Sequence, residues 1–168
     1  MTRLPAALGG GSGLLVWRLD RRVYGATWDS GEGAFLVGGR WNSKGVRAVY
    51  CSIDPATTIL EAAAHQGLRP LDTVPFVLTA ARIPDMAQVL IIKPDDVPNP
   101  NWLRPGIPGA GQQAFGDDLL RRDPFVAIPS AVSTHSWNLI FDPIKAAGFY
   151  SLDFQEPFAL DTRLHPPS

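Results

Sequence analysis

The 168-residue sequence lacks the residues that several functional classes require. It has one cysteine, Cys51, and three histidines, so neither a disulfide framework nor a structural zinc site is expected. No apolar run approaches the roughly 20 residues that cross a bilayer. The N-terminus also lacks the charged-then-apolar pattern of a secretion signal. We therefore expect a soluble cytoplasmic protein that binds no metal and no membrane.

An excess of charge of one sign is also missing. The net charge is −1, and acidic and basic residues are interspersed along the chain. A nucleic-acid-binding surface needs a basic patch or stripe, so direct binding of nucleic acid is not expected. What the chain does have is 45% hydrophobic residues and five tryptophans, which predict a globular protein with a substantial core.

The residue pattern divides the chain into one domain and two short ends. A glycine-rich stretch predicts that residues 1–13 are a flexible lead-in, and residues 161–168 form a polar, proline-containing tail. Residues 14–160 are expected to form the domain. Short apolar runs predict strands at 14–19, 46–53, 73–81, 88–92, 125–128, 137–141 and 149–154. With helices predicted at 55–66 and 112–122, this order favours a single compact α+β domain with mixed, short-stranded sheets over a doubly wound parallel sheet.

The first of these helices has clear signals at both ends. Asp54 is a good N-cap, Pro55 suits the first helical position, and Gly67 suits the position after Gln66, where the helix is predicted to end. Glu61 is expected at the edge of the packed face, because its neighbours three and four residues away are small or polar. Four apolar residues are predicted to form that face: Ile59, Leu60, Ala63 and Ala64.

A glycine-arginine turn precedes this helix and suggests a ligand site. Gly38 and Gly39 allow a tight turn and close approach to a ligand, and Arg40 carries the side chain best shaped to bind phosphate. Tyr50 lies in the following strand and Glu61 in the helix. Two interpretations stand side by side at this point: a small-molecule site, or an ordinary strand–turn–strand with a capping arginine and a solvated glutamate.

Five short motifs in order resemble the RES-domain family, named for its arginine, glutamate and serine. The resemblance covers about residues 14–153. The matching residues are Trp17-Arg18, Gly39-Arg40-Trp41-Asn42 with Gly45, Val49-Tyr50 and Leu60-Glu61, Ile128-Pro129-Ser130-Ala131, and Trp137-Asn138-Leu139-Ile140 with Asp142-Pro143.

The resemblance implies the toxin of a bacterial toxin–antitoxin pair with a fold similar to the ADP-ribosyltransferases of diphtheria-toxin type. Members of the family act on NAD⁺. Some degrade it by hydrolysis or phosphorolysis, and others transfer ADP-ribose to a protein. The implied partner is an antitoxin with a helix-turn-helix DNA-binding part and a C-terminal segment that blocks the NAD⁺ pocket. A non-catalytic module that binds only a nucleotide or a partner is the remaining alternative.

By the same resemblance, three residues are expected to act on the nicotinamide end of NAD⁺. Glu61 would stabilise the oxocarbenium-like ribose that forms when nicotinamide leaves. Arg40 would hold the pyrophosphate or the nicotinamide-side ribose. Tyr50 would stack on the nicotinamide ring. Cys51, one residue on in the predicted strand, should face the opposite way and be a buried structural thiol.

Three further residues are expected to complete the site. Arg18 would clamp a phosphate or a ribose hydroxyl, or would instead brace a carboxylate such as Glu61. Ser130 is expected to hydrogen-bond NAD⁺ or Glu61 and not to act as a nucleophile, because no histidine base is evident beside it. Asn138 would orient a loop or contact the ligand.

Two segments are long for connections and are expected to be binding loops or excursions. These are the glycine-rich residues 20–34 and the proline-rich residues 93–111. Either could recognise a protein acceptor, so transfer of ADP-ribose is slightly favoured over simple degradation of NAD⁺.

Overall fold

The computed structural model describes residues 13–164, so nearly all of the predicted lead-in and the last four residues of the predicted tail lie outside the described residues. Seven strands form one sheet. The strands are β1 Leu14–Arg21, β2 Val49–Ser52, β3 Phe76–Ile83, β4 Val89–Ile91, β5 Phe125–Pro129, β6 Trp137–Phe141 and β7 Ser151–Phe158. The α-helices are α1 Glu32–Val37, α2 Pro55–Gln66, α3 Leu68–Thr73 and α4 Ala110–Arg122. Within the described part of the chain, no helix is both long and apolar enough to span a bilayer.

The strand order is β4-β5-β6-β2-β1-β3-β7. β4 and β5 are parallel, and the other neighbours are antiparallel. A parallel pair needs a crossover connection, and α4 lies in the connection between β4 and β5. The predicted α+β class with a mixed sheet is confirmed.

The middle of the sheet has a narrow junction. β1 pairs with β3 along its whole length, Leu14 to Arg21, but with β2 only at the register pair Trp17 and Ser52. Both strands lie wholly within the described residues. The sheet therefore consists of two halves, β4-β5-β6-β2 and β1-β3-β7, joined at a single position next to the start of α2.

The alternation of side chains along the strands puts two apolar cores on opposite faces of the sheet. One core includes Val49, Cys51 and Leu139 and is covered by Trp28 and Tyr150. On the other face, α4 packs on β5 and β6 through a second core: Trp41, Leu119, Leu120, Val126, Ile128 and Ile140. α2 and α3 pack on the β1-β3 half of the sheet through a third core: Leu19, Leu71, Phe76, Leu78 and Leu160, with Ile59, Ala62 and Ala63.

Helix α2 has the predicted bounds. The Asp54 carboxylate accepts a hydrogen bond from the Thr57 amide at 2.7 Å, and Gly67 ends the helix with φ of +81°. Its predicted packed face is partly wrong: Leu60 is 45% exposed and Ala64 is exposed, whereas Thr57 and Thr58 are buried. Thr58 faces the sheet, and its hydroxyl donates to the Trp17 carbonyl oxygen of β1.

Short helices occupy segments that the sequence predicted as loop or strand. The segment 20–34 contains a 3₁₀ helix, Arg22–Thr27, and the start of α1. The segment 93–111 contains two more, Pro94–Asp96 and Pro100–Leu103. The strand predicted from residue 73 begins at Phe76 because α3 precedes it. Helices of one or two turns bury too few residues to show a helical period in sequence.

Gly116 explains how α4 packs against the glycine-arginine turn. A Cβ atom at this position would lie 1.9 Å from the carbonyl oxygen of Trp41. Only a residue without a side chain allows the helix and the turn to come this close. Gly116 is therefore the contact point between α4 and the turn that carries Arg40.

Candidate functional site

Glu61 lies where α2 faces the β5–β6 side of the sheet, and two side chains hold its carboxylate. The Ser130 hydroxyl donates to Glu61 Oε1 at 2.7 Å. The Asn138 amide nitrogen donates to the same oxygen at 2.6 Å. Oε2 accepts no hydrogen bond from the described residues, so one carboxylate oxygen is fixed and the other keeps its full capacity to accept.

The sheet places these donors on one face. Val126 and Ile128 of β5 and Ile140 of β6 pack in the core under α4, so by alternation Ser130 and Asn138 point to that same face. Asn138 pairs with Ser52 of β2 across the sheet. The site thus lies between α2 and α4, beside the single junction of β1 and β2.

Ser130 uses its full hydrogen-bonding capacity in this arrangement. Its hydroxyl donates its one proton to Glu61 and accepts from the amides of Val132 and Ser133 at 3.2 and 3.0 Å. The side chain is 1% exposed. A serine hydroxyl has one donor and two acceptor positions, so this one has no position left for attack on a substrate. The contact with Glu61 is one of the two that the sequence predicted.

Ser52 is a site residue that the sequence analysis missed. It is 3% exposed, and its hydroxyl donates to Asn138 Oδ1 at 2.8 Å. No motif marks it, because its contact depends on the register of two strands that are 86 residues apart. Knowledge of the β2–β6 pairing would have placed it opposite Asn138.

A second polar cluster fixes the start of α2 to the β5–β6 connection. Asp54 Oδ2 accepts from the hydroxyls of Thr57 and Ser136 at 2.6 and 2.8 Å. Burial tends to raise the pKa of Asp54, but hydrogen bonds from Thr57, Ser136 and the Ala56 amide outweigh it and hold this pKa below its usual value. The cluster joins α2, which carries Glu61, to the β5–β6 connection, which carries Ser130.

The lowered pKa makes an acid-dependent contribution to stability. Because the folded-state pKa lies below the unfolded value of 3.8, Asp54 stabilises the fold above about pH 4 and loses this effect as the pH falls through the folded value. We expect Asp54→Asn to lower the free energy of unfolding at neutral pH by about 0.3–1 kcal/mol, because asparagine still caps the helix but lacks the negative charge at its N-terminus. In urea titrations the difference from wild type should shrink toward about pH 3.

The matched control for this experiment is Asp118→Asn. Asp118 pairs with Arg121 on the exposed side of α4, where an ion pair contributes little. A difference between Asp54→Asn and wild type that stayed constant from neutral to acid pH would contradict the role given to the Asp54 carboxylate.

The Tyr50 hydroxyl hydrogen-bonds two residues of the segment that follows the glycines and so fixes the glycine-arginine turn. Its hydroxyl donates to Asn42 Oδ1 at 2.7 Å and accepts from the Trp41 amide at 2.9 Å. A Cβ atom at Gly39 would lie 2.6 Å from the same hydroxyl oxygen. Burial raises the pKa of Tyr50 above its usual range, so the phenol is neutral. Stacking of its ring on nicotinamide stays a prediction.

Arg40 contacts the proline-rich segment directly. Nη1 donates to the carbonyl oxygens of Trp102 and Arg104 at 3.3 and 3.2 Å, and Nη2 donates to that of Gly106 at 3.2 Å. The amide of Gln112 also donates to the Trp102 carbonyl, at 3.1 Å. Arg40 therefore orders residues 102–106 in this structure, and its contact with a phosphate stays a prediction.

Arg18 lies apart from Glu61. It donates to Asp20 Oδ2 at 2.8 Å and to the Tyr50 carbonyl oxygen at 2.9 Å. By alternation it belongs to the face of β1 that carries Val16, opposite to Trp17. Burial raises the pKa of Asp20 in spite of the Arg18 charge. The guanidinium thus bridges β1 and β2 beyond their single register pair, and its contact with NAD⁺ stays a prediction.

The other reactive side chains near these strands are not arranged for catalysis. Cys51 is 3% exposed, and burial raises the pKa of its thiol to about 12, as expected of a structural thiol. His65 and His135 are exposed. Among residues 13–164, no group of three or more His, Cys, Asp or Glu side chains is arranged to hold a metal ion.

The family model of the RES domain matches residues 15–161. The chain belongs to the RES domain family. The match spans β1 to the end of β7 and includes Arg18, Arg40, Glu61, Ser130 and Asn138.

Relatives of this RES domain chain include proteins named as toxins. It is 31% identical to "Toxin Res" of Photorhabdus laumondii subsp. laumondii over 78% of this chain and 83% of the relative. It is 29% identical to "Toxin Res" of Yersinia enterocolitica over 90% and 99%. It is 31% identical to the "Prs ADP-ribosylating toxin" of a Sphingobium species over 76% and 81%.

The fold of this RES domain is similar to a chain in the crystal structure of the M. tuberculosis MbcT–MbcA toxin–antitoxin complex. The TM-score is 0.63 at 21% identity, over 88% of this chain and 85% of the other. At this identity the match establishes a common fold for the sheet and its helices.

Proposed function

We propose that this RES domain protein is the toxin of a bacterial toxin–antitoxin pair that binds NAD⁺, cleaves its nicotinamide–ribose bond and transfers ADP-ribose to a protein. The family, the toxin names of three relatives and the shared fold support this proposal. The single observation that carries it is the carboxylate of Glu61, with Oε1 held by Ser130 and Asn138 and Oε2 keeping its full capacity to accept.

The proposed reaction needs a fixed negative charge and little else at the bond that breaks. The electron pair of the glycosidic bond goes to the pyridinium nitrogen, so nicotinamide leaves as a neutral molecule without a general acid. Positive charge then develops on the ribose, and a preorganised carboxylate stabilises it. Ser130 and Asn138 orient that carboxylate in advance, and Glu61 Oε2 is the oxygen we place at a ribose hydroxyl.

The rest of the ligand would lie along the glycine-arginine turn. We place the nicotinamide ring beside Tyr50, whose hydroxyl is already fixed by Asn42 and Trp41. Arg40 is the cation within this turn and would meet the pyrophosphate. Arg18 holds the Tyr50 carbonyl oxygen from the opposite face of the sheet, so we give it the role of positioning the strand that carries Tyr50.

A protein acceptor is favoured over water or phosphate. One relative is named as an ADP-ribosylating toxin. The proline-rich segment next to Arg40 is also ordered by side-chain contacts from Arg40 and Gln112. An ordered segment beside the site offers a surface against which a protein acceptor can dock. The acceptor's nucleophile would bond to the ribose carbon that nicotinamide leaves and would lose one proton.

The proposed partner is an antitoxin with a helix-turn-helix part, acting in the cytoplasm. The similar fold was determined in a toxin–antitoxin complex. A small helix-turn-helix protein encoded beside this gene would support the pairing.

NAD⁺ labelled on its adenylate part tests the reaction. The protein is incubated with the labelled NAD⁺ in an extract of bacterial cells, and nicotinamide and label are followed separately. Transfer predicts nicotinamide release with label retained on precipitated protein. Release of nicotinamide with free labelled ADP-ribose or its phosphate would instead indicate depletion of NAD⁺. No release of nicotinamide would indicate a binding module and overturn the proposed chemistry.

A further inference from the structure

We propose that Ser52 is a positioning residue for Glu61, acting through Asn138. This inference rests on the proposed function, because it concerns the same carboxylate. Three hydrogen-bonding groups form a chain across the site: the Ser52 hydroxyl, the Asn138 amide and Glu61 Oε1. Their distances are 2.8 Å from Ser52 Oγ to Asn138 Oδ1 and 2.6 Å from Asn138 Nδ2 to Glu61 Oε1.

The strand register creates the first contact. Ser52 and Asn138 are a direct cross-strand pair of β2 and β6, so their side chains lie on the same face about 5 Å apart at Cβ. Ser52 is also the residue at which β2 pairs with β1. Its backbone is therefore fixed from both sides, which holds the side chain opposite Asn138.

The Ser52 hydroxyl and the Glu61 carboxylate together fix which way the Asn138 amide faces. The terminal torsion of asparagine has a broad, roughly two-fold preference, so packing alone does not distinguish the oxygen from the nitrogen. With the Ser52 proton on Oδ1, the NH₂ group is directed at Glu61. Among the described residues, Ser52 is the only donor to Oδ1, so without its hydroxyl the amide is held by Glu61 alone.

Loss of the Ser52 hydroxyl should therefore affect the reaction more than substrate binding. Ser52 contacts neither Glu61 Oε2 nor the turn that would hold the phosphates. Because misplacing a reacting group by about 1 Å costs on the order of 100-fold, we expect Ser52→Ala to lower kcat about 10- to 100-fold. KM for NAD⁺ should change little, and Ser52→Thr, which keeps the hydroxyl, should recover activity.

A double-mutant cycle on nicotinamide release tests this inference. If Ser52 acts through Asn138, then Ser52→Ala will have no further effect on kcat in the Asn138→Ala background. The matched control is Thr79→Val, which removes a hydroxyl that is 1% exposed and bonded to Gln155 on the opposite face of the sheet. Its effect should be small in both backgrounds. The inference would be overturned if the kcat losses of Ser52→Ala and Asn138→Ala multiplied in the double variant. It would also be overturned if Ser52→Ala lowered kcat as little as Thr79→Val does.

The side-chain amide of Asn138 gives a readout that does not depend on turnover. Its ¹⁵N–¹H signals are identified by their absence in Asn138→Ala. In wild type they should exchange slowly with solvent, and in Ser52→Ala they should shift and exchange faster. Unchanged signals would refute the positioning role whatever the activity. A wild-type protein that releases no nicotinamide but loses these signals in Ser52→Ala would refute the proposed function instead.

Discussion

Replacing Glu61 by glutamine is expected to reduce nicotinamide release about 10²- to 10³-fold, equivalent to about 3–4 kcal/mol of transition-state stabilisation. The amide oxygen of glutamine can still accept from Ser130 and Asn138, so the fold and the local hydrogen bonds should persist. What the variant loses is the negative charge beside the ribose. Most of the affinity for NAD⁺ should persist, because the amide can still hydrogen-bond a ribose hydroxyl and the charge acts most strongly on the ribose cation that develops as the bond breaks.

Steady-state kinetics measures the rate of nicotinamide release, and titration calorimetry on the same preparations measures the affinity for NAD⁺. Glu156→Gln is the control, since Glu156 lies exposed on β7 and carries the same change of charge. Toxicity on expression in bacteria should disappear with Glu61→Gln and persist with Glu156→Gln. Wild-type turnover in Glu61→Gln would remove Glu61 from the mechanism.

Replacing Arg40 by alanine is expected to weaken NAD⁺ binding about 10- to 100-fold. A charge-assisted hydrogen bond to phosphate contributes about 1.5–3 kcal/mol, which corresponds to this range. Arg40→Lys keeps the charge but not the planar fork and should fall in between. Titration calorimetry in the Glu61→Gln background measures affinity without turnover of the ligand.

Arg40 also orders the proline-rich segment. Weaker NAD⁺ binding in Arg40→Ala could therefore come from the lost charge or from a less ordered segment, and the two causes must be separated. Gln112→Ala provides the comparison: it removes a different donor to the Trp102 carbonyl oxygen without changing charge. If Gln112→Ala leaves the isotherm unchanged while Arg40→Ala weakens it, the guanidinium contacts the ligand. Equal weakening in both would assign the effect to the segment, and no weakening in either would show that Arg40 is not a ligand contact.

The parts of the fold that the sequence predicted correctly are those with strong local signals. The bounds of α2 follow from Asp54, Pro55 and Gly67, which act on their own neighbours. The apolar run of β6 likewise has the predicted limits, Trp137 to Phe141. The six-residue helices α1 and α3 were missed because their stability comes from contacts with the rest of the fold and not from helical periodicity.

The candidate site likewise divides into residues that the sequence identified and contacts that depend on the fold. Ser130 and Asn138 were identified by resemblance to a family, and the structure brings both to Glu61. The partners of Arg40 lie 62 to 66 residues away and are backbone carbonyls, which no side-chain pattern marks. The link from Ser52 to Asn138 depends on strand register, which becomes known only when the sheet order is known.

That sheet order sets when the site can first exist. β6 lies between β5 and β2, and Glu61 meets its two donors across 69 and 77 residues of chain. A ribosome-bound chain that ends before β6 has α2 and β2 but neither Asn138 nor a neighbour for the free edge of β2. Long-range pairing of this kind is slow to form. The surroundings of the Glu61 carboxylate are therefore completed only once β6 has been made, so nascent and truncated chains that lack β6 are expected to lack the proposed activity.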